Sequence, residues 1–133
     1  MKPRLGCART YRELLVWQKA KTLATRIYQA TEPFPKPETY GLTSQIRRAA
    51  VSVPSNIAEG QGRLTVGEFL HFLGQARGSL LELDTQLAIA LDLTYLKPDQ
   101  HEVLDGEIYQ VLGLLNRLIE SLRKGRSQPG SKP

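Results

Sequence analysis

The chain has 133 residues, enough for one domain with its own apolar core, and its single cysteine, Cys7, excludes an internal disulfide. No apolar run approaches the roughly 20 residues that cross a bilayer, and the first ten residues lack the apolar segment of a secretory signal, so we expect a cytoplasmic protein. The formal net charge is +5, but eight of the 18 basic residues lie in segments 1–12 and 123–133, which hold no acidic residue, leaving 10 basic against 13 acidic residues between them.

The first predicted helix spans about residues 11–31. Thr10 and Glu13 have the spacing of a capping box, in which two side chains satisfy backbone donors at a helix start. Three prolines within residues 33–37 end the helix, because proline lacks the backbone donor and clashes with the preceding turn. The apolar positions repeat at spacings of three and four and form a core stripe of Val16, Ala20, Leu23 and Ile27.

The second predicted helix spans about residues 39–60. Pro54 lies inside it and removes the hydrogen bond to the Ala50 carbonyl, so we expect a kink. Gly60 and Gly62 close the helix. Its core stripe is Leu42, Ile46, Ala49, Val53 and Ile57.

The third predicted helix spans about residues 65–92, and Thr65 and Glu68 form a second capping box at its start. The alternation of four and three in its apolar spacing is typical of a heptad seam, which consists of Phe69, Leu73, Ala76, Leu80, Leu83, Leu87 and Ala90.

The fourth predicted helix spans about residues 98–124, because Pro98 suits a first helical turn. Its stripe is Leu104, Ile108, Val111, Leu115, Leu118 and Leu122. Short connections between four helices predict an all-α, antiparallel up-down-up-down four-helix bundle over residues 11–124. We expect a flexible basic tail at residues 1–10 and a disordered tail at residues 125–133.

The third helix has a second stripe that points away from the heptad seam. It includes two glycines one turn apart, and each costs a helix interior roughly 1 kcal/mol relative to alanine. Either the fourth helix or a loop covers this face, or a neighbouring subunit does; we favour the subunit. The predicted oligomer interface is Leu70, Gly74, Gly78, Leu81, Thr85 and Ala88.

Polar stripes lie beside the core stripes of the second and third helices and could face each other in an antiparallel pair, with Arg48 paired to Glu82. We favour a buried polar network that fixes the register between helices or between subunits; the alternative is a ligand-binding groove. In the second helix this stripe is Gln45, Arg48, Ser52, Asn56 and Glu59, and in the third it is Gln75, Ser79, Glu82 and Gln86.

No residue set predicts a catalytic, metal or cofactor site. Glu68 and His71 have the spacing of a di-iron ligand pair, but the seam positions beside them place both on the outer side of the helix. The segment Glu59–Arg63 could hold a phosphate at a helix start, yet a glycine C-cap explains it more simply.

Four separated motifs resemble the four-helix-bundle proteins named for intervening sequences in bacterial 23S rRNA genes, over about residues 11–122. The family pattern usually has isoleucine where Val53 stands. The motifs are Val16–Ala20, Gln45–Ser52, Ser55–Gly60 with Gly62 and Arg63, and Gly78–Glu82.

This resemblance implies a bacterial cytosolic protein whose family members form ring-like homopentamers. The chain also resembles, more distantly, the accessory proteins of diversity-generating retroelements, which are basic pentameric barrels that bind nucleic acid and a reverse transcriptase. We therefore predict a non-enzymatic, homo-oligomeric assembly protein without a small-molecule substrate. The alternative is RNA or DNA binding through the basic tails and the ring, with contacts from Arg47, Arg63, Arg123, Lys124 and Arg126.

Overall fold

The computed structural model describes residues 10–127, and within that range it contains helices and no strand. The predicted all-α fold is confirmed. The four helices are α1 (Leu15–Thr31), α2 (Leu42–Gln61), α3 (Val66–Asp92) and α4 (Pro98–Ser127), with short 3₁₀ turns at Tyr11–Glu13 and Lys36–Glu38.

Each helix packs against the next helix in the chain, and α4 packs back against α1. The diagonal pairs, α1 with α3 and α2 with α4, make no close backbone contact. This is the arrangement of an antiparallel up-down-up-down bundle, as predicted. An ion pair between Arg26 of α1 and Glu107 of α4 lies at the contact that closes the bundle.

The core consists of the predicted stripes. Every predicted stripe position is buried except four that are half-buried, namely Leu42, Phe69, Leu118 and Leu122, which lie toward helix ends. Four further apolar side chains are buried: Ala24 in α1, Ala50 in α2, and Phe34 and Leu96 in the connections that follow α1 and α3. Spacing therefore identified most of the core of the helices, but not the two alanines beside the stripes or the parts that come from the connections.

Three helix boundaries differ from the prediction. The capping-box residues Thr10 and Glu13 hold a 3₁₀ turn, in which the Thr10 N–H donates to Glu13 Oε1 at 3.1 Å, and α1 begins only after the extended Leu14. The second helix begins at Leu42 instead of residue 39, after a separate 3₁₀ turn. The fourth continues to Ser127, so residues 125–127 are helical although we predicted a tail there.

The extension of α4 agrees with the basic side chains of its last turns, because positive charge stabilises the negative end of the helix dipole. The rest of the two predicted tails, residues 1–9 with Cys7 and residues 128–133, lies outside the described residues. Pro54 lies within α2, which is continuous through it, and the kink stays a prediction.

The helices α2 and α3 approach each other closely at Gly60. A Cβ atom at this position would lie 2.7 Å from Phe72 Cβ, a distance that real Cβ atoms essentially never show, and 3.0 Å from Phe69 Cδ1. Gly60 is therefore a helix contact, whereas we had assigned it to the end of the helix. Gly62 is the C-cap, in the right-handed helical region at φ −81°.

The connections at the opposite end of the bundle are tied together by Glu38. Its Oε1 accepts from the Leu42 N–H at 3.1 Å, at the start of α2, and its Oε2 accepts from the Tyr95 hydroxyl at 2.8 Å, in the α3–α4 connection. The Tyr95 ring also packs on Phe34, with 5.5 Å between ring centroids. Both hydrogen bonds lower the pKa of Glu38, the Leu42 bond most, and the bond to Glu38 is the main cause that raises the pKa of Tyr95.

The Gly60 contact predicts a large difference between two neighbouring glycines. Gly60→Ala should destabilise the fold by about 1–3 kcal/mol, because α2 and α3 must separate to admit a methyl group. Gly62→Ala is the matched control, since its Cβ would meet only ordinary contacts at 3.7 and 3.8 Å. Urea unfolding followed by circular dichroism measures both, and equal stability of the two variants would contradict the close-approach explanation.

The Glu38 hydrogen bonds predict an acid-sensitive contribution to stability. Because the pKa of Glu38 is lower in the folded chain than in the unfolded one, its contribution is complete above the unfolded pKa and is lost as the pH falls through the folded pKa. Glu38→Gln should therefore lower the melting temperature at pH 7, and the deficit should shrink toward pH 3. Glu120→Gln, at an exposed carboxylate of α4, should show no such change. A Glu38→Gln deficit that stays constant with pH would contradict this assignment.

Candidate functional site

The polar stripes of α2 and α3 meet at a hydrogen-bonded centre. Ser52 Oγ and Ser79 Oγ lie 2.8 Å apart across the two helices. Asn56 Nδ2 donates to both the carbonyl oxygen and the Oγ of Ser52, each at 2.9 Å. These three half-buried side chains satisfy one another, which fixes the register of α2 against α3 at this level.

A polar groove of about 450 Å³ opens beside this centre. Arg48 and Glu82 both lie in it with exposed side chains, but they form no ion pair with each other in the described chain, so the predicted pair is absent. Charges of both signs therefore remain available in one groove. Its lining consists of Tyr40, Ser44, Gln45, Arg48, Ala49, Ser52, Ser79 and Glu82.

The remaining members of the predicted polar stripes lie elsewhere. Glu59 is exposed and pairs with Arg63 at 3.0 Å, one turn further along the chain. Gln75 is exposed and its Nε2 lies 3.2 Å from His71 Nε2. Gln86 is buried, and its Oε1 has no hydrogen-bond partner within residues 10–127. The central residues of the two stripes therefore contact one another, whereas the residues nearer the ends of the stripes do not join this centre.

The second stripe of α3, hereafter the outer face, is not covered by any other part of the described chain at its glycines. A Cβ atom at Gly74 or Gly78 would meet nothing within 4 Å, so neither α4 nor a connection covers them. Two glycines of α4, Gly106 and Gly113, are equally open. The stripe position Leu81 is 40% exposed. The α4 glycines were not among the predicted interface residues, although their seven-residue spacing in a helix could have revealed them.

Arg47 holds α1 and α2 together. Its Nε donates to Thr31 Oγ1 at 2.9 Å, its Nη2 donates to the Tyr28 carbonyl at 3.2 Å and lies 3.4 Å from Glu32 Oε2, and its guanidinium lies 4.5 Å from the centre of the Tyr28 ring. None of these partners follows from helix periodicity, and from its sequence Arg47 was predicted only as a contact for nucleic acid.

The other predicted nucleic-acid contacts lie toward the end of the bundle opposite Arg47, where α2 and α4 both end. Arg63 pairs with Glu59 and its guanidinium lies 4.7 Å from the Phe72 ring centre, at the far end of α2 from Arg47, roughly 20 Å away. Arg123 and Lys124 are exposed on the last turns of α4, and the backbone of Arg126 continues that helix. Nucleic-acid binding by these five residues stays a prediction.

Glu68 and His71 are both exposed on α3, on the side that the seam predicted. In the part of the chain that the structure describes, no group of three or more His, Cys, Asp or Glu side chains is arranged to hold a metal ion.

Asp84 of α3 is a carboxyl group whose pKa is shifted by its neighbours on α4, which the sequence did not suggest. Partial burial raises its pKa most, a hydrogen bond and the charge of Asp105 raise it further, and His101 opposes the shift. Asp105 and His101 are one turn apart on α4, so this contact joins the two helices that carry the open glycines.

A family model described as 23S rRNA-intervening sequence protein matches residues 12–117. No curated protein matches the chain significantly. Among the described residues, no helix is long and apolar enough to cross a membrane.

A solved structure from Bacteroides thetaiotaomicron VPI-5482 has a similar fold. It is described as a protein with unknown function from the S23 ribosomal protein family, and it superposes with a TM-score of 0.74 at 21% sequence identity. The similarity covers 80% of this chain and 96% of that one. At this identity the likeness concerns the fold alone.

The contacts of Arg47 predict that lysine cannot replace it. Arg47→Lys should cost about 1–3 kcal/mol of stability, because an ammonium group cannot contact Thr31, the Tyr28 carbonyl and the Tyr28 ring together. Arg48→Lys is the matched control at the next position, since its exposed side chain makes no ion pair in the described chain. Thermal unfolding compares the two variants. Equal melting temperatures of the two variants would show that the Arg47 contacts do not hold α1 and α2 together.

Proposed function

From the premise that the chain belongs to the family of 23S rRNA-intervening sequence proteins, we propose that it is a non-enzymatic scaffold of the cytoplasm that self-associates through the outer face of α3. Neither the family nor the similar bacterial structure is described by an enzymatic activity. The proposal therefore rests on a surface feature and not on a reaction.

The observation that carries the proposal is the set of open helical glycines. Gly74 and Gly78 of α3 and Gly106 and Gly113 of α4 lie within helices, have open space where a Cβ would be, and take no positive φ. Each lowers helix stability by roughly 1 kcal/mol relative to alanine without any gain inside the bundle. A gain from outside the bundle, the close approach of another helix, explains why glycine stands at these positions.

The surroundings of these glycines suit such an approach. Leu81 and Ile89 of α3 are 40% and 44% exposed, and Tyr109 of α4 is 57% exposed. Large apolar side chains beside small residues are the composition of a packed helix–helix interface. A ring needs two different surfaces on each subunit, of which the outer face of α3 would be one. The resemblance to families whose members form pentameric rings implies five copies.

The mass of the protein in solution tests this proposal. Light scattering should give a multiple of 14.9 kDa, with five copies as the expected number. Gly78→Arg should give a folded particle of 14.9 kDa, because the arginine enters open space in the isolated bundle and blocks a neighbouring helix. Gly62→Arg makes the same substitution at an exposed glycine outside this set, where a Cβ would meet only ordinary contacts, and it should leave the mass unchanged.

Alanine at the same glycine gives a second, independent measurement. Gly78→Ala should stabilise the isolated bundle by roughly 1 kcal/mol and weaken the association at the same time, whereas a glycine without an interface would show only the first effect. A single copy in the wild-type solution at high concentration, or an unchanged mass in Gly78→Arg, would remove the proposal.

A further inference from the structure

A second pocket lies apart from the outer face of α3, where α1 ends and α2 begins. It has a volume of about 480 Å³, within the range of pockets that hold small ligands. Three basic side chains, Lys36, Arg47 and Arg48, line it together with one acidic side chain, Glu32. The lining therefore has a net positive charge, whereas residues 13–122 as a whole have more acidic than basic residues.

The start of α2 adds backbone donors to this pocket. The helix has 20 residues, and its N-cap, Gly41, has no side chain to satisfy the first N–H groups. Of the first N–H groups of α2, Glu38 accepts only that of Leu42, and the N–H groups of Thr43 and Ser44 have no acceptor within residues 10–127. Thr43 and Ser44 both line the pocket. Free N–H groups and the positive end of the helix dipole favour an anion here.

The hydroxyl group of Thr43 is an independent indication of a missing partner. Thr43 is 8% exposed, and its Oγ1 makes no hydrogen bond with the described chain. A buried hydroxyl without a partner destabilises a fold by about the cost of its desolvation, so native structures rarely keep one. Thr43 lines the adjoining pocket, so a ligand bound there would provide an acceptor once χ1 of Thr43 rotates to a staggered position that faces it.

The arginines have complementary roles. Arg47 is held in place by hydrogen bonds from its Nε and Nη2, whereas its Nη1 makes no hydrogen bond within the described residues. Arg48 lines both this pocket and the polar groove between α2 and α3, and it makes no ion pair in either. A guanidinium held in place and a second one free to turn can together contact several oxygens of one phosphate group.

We propose that this pocket binds the phosphate monoester of a small molecule, with a nucleoside monophosphate as the class of ligand. The monoester is favoured because it carries close to two negative charges, which matches the excess of basic side chains. Tyr40, which is 96% exposed and lines the pocket, offers an aromatic surface on which a base can stack. This site does not depend on the proposed self-association.

Isothermal titration of the full chain with adenosine 5′-monophosphate at low salt tests the assignment. Arg48→Ala should weaken binding by at least about tenfold, because it removes a charged hydrogen bond. Arg117→Ala removes the same charge from an exposed position in the distal half of α4, and it should bind as the wild type does. No binding to the wild type, or an equal loss in both variants, would overturn the proposal.

Thr43→Val separates a ligand contact from a structural role. Without ligand it should raise the melting temperature, because it removes a buried hydroxyl that lacks a partner. With adenosine 5′-monophosphate it should weaken binding several-fold. A variant that binds as tightly as the wild type would show that the hydroxyl does not face the ligand and would overturn this part of the site.

Two further probes identify the part of the ligand that is recognised. Inorganic phosphate should bind more weakly than the nucleotide, and Tyr40→Ala should remove that difference. The dinucleotide ApA carries a phosphodiester, as an RNA backbone does, and should bind more weakly than the monoester. Equal or tighter binding of ApA would overturn the assignment to a monoester.

Discussion

The close contact between α2 and α3 is the constraint on which the rest of the bundle depends. At Gly60 the two helices approach so closely that a side chain would collide with Phe72, and further along the pair Ser52 and Ser79 share a hydrogen bond. Apolar packing is non-directional, so directional or steric contacts are needed to fix one register sharply. The steric stop at one end and the polar pair in the middle together select one register, and that register sets the shape of the polar groove beside them.

The start of α2 is the second organising point, and it uses charge where the other end uses close packing. On one side Arg47 anchors α2 to the last turn of α1, and on the other side Glu38 connects the same region to Tyr95. Both anchors are hydrogen-bonded at more than one atom, so they restrict orientation as well as distance. Arg48, between the groove and the pocket, has no such restraint, and this contrast between adjacent arginines is the strongest reason to assign them different roles.

The sequence predicted the architecture well and the sites less well, for a physical reason. Core stripes depend on spacing along one helix, so Val16, Ile46, Leu80 and Ile108 could be placed without knowing what they contact. Contacts between helices depend on register and rotation, which periodicity does not encode, and this is why the partners of Arg47 and Asp84 were missed and the pairing of Arg48 with Glu82 was wrong. Helix ends were displaced where a 3₁₀ turn competed with the α-helix, as at Tyr11–Glu13.

The order in which the helices pack has a consequence for how the chain folds. Three of the four helix–helix contacts join neighbours in the sequence and require only short connections to close. Of these four helix pairs, only α1 and α4, where Arg26 meets Glu107, are far apart along the chain. Because the entropy lost on closing a loop grows with its length, this contact is the most costly to form. A bundle whose contacts are mostly local in sequence should fold rapidly, and the contact between α1 and α4 should form last.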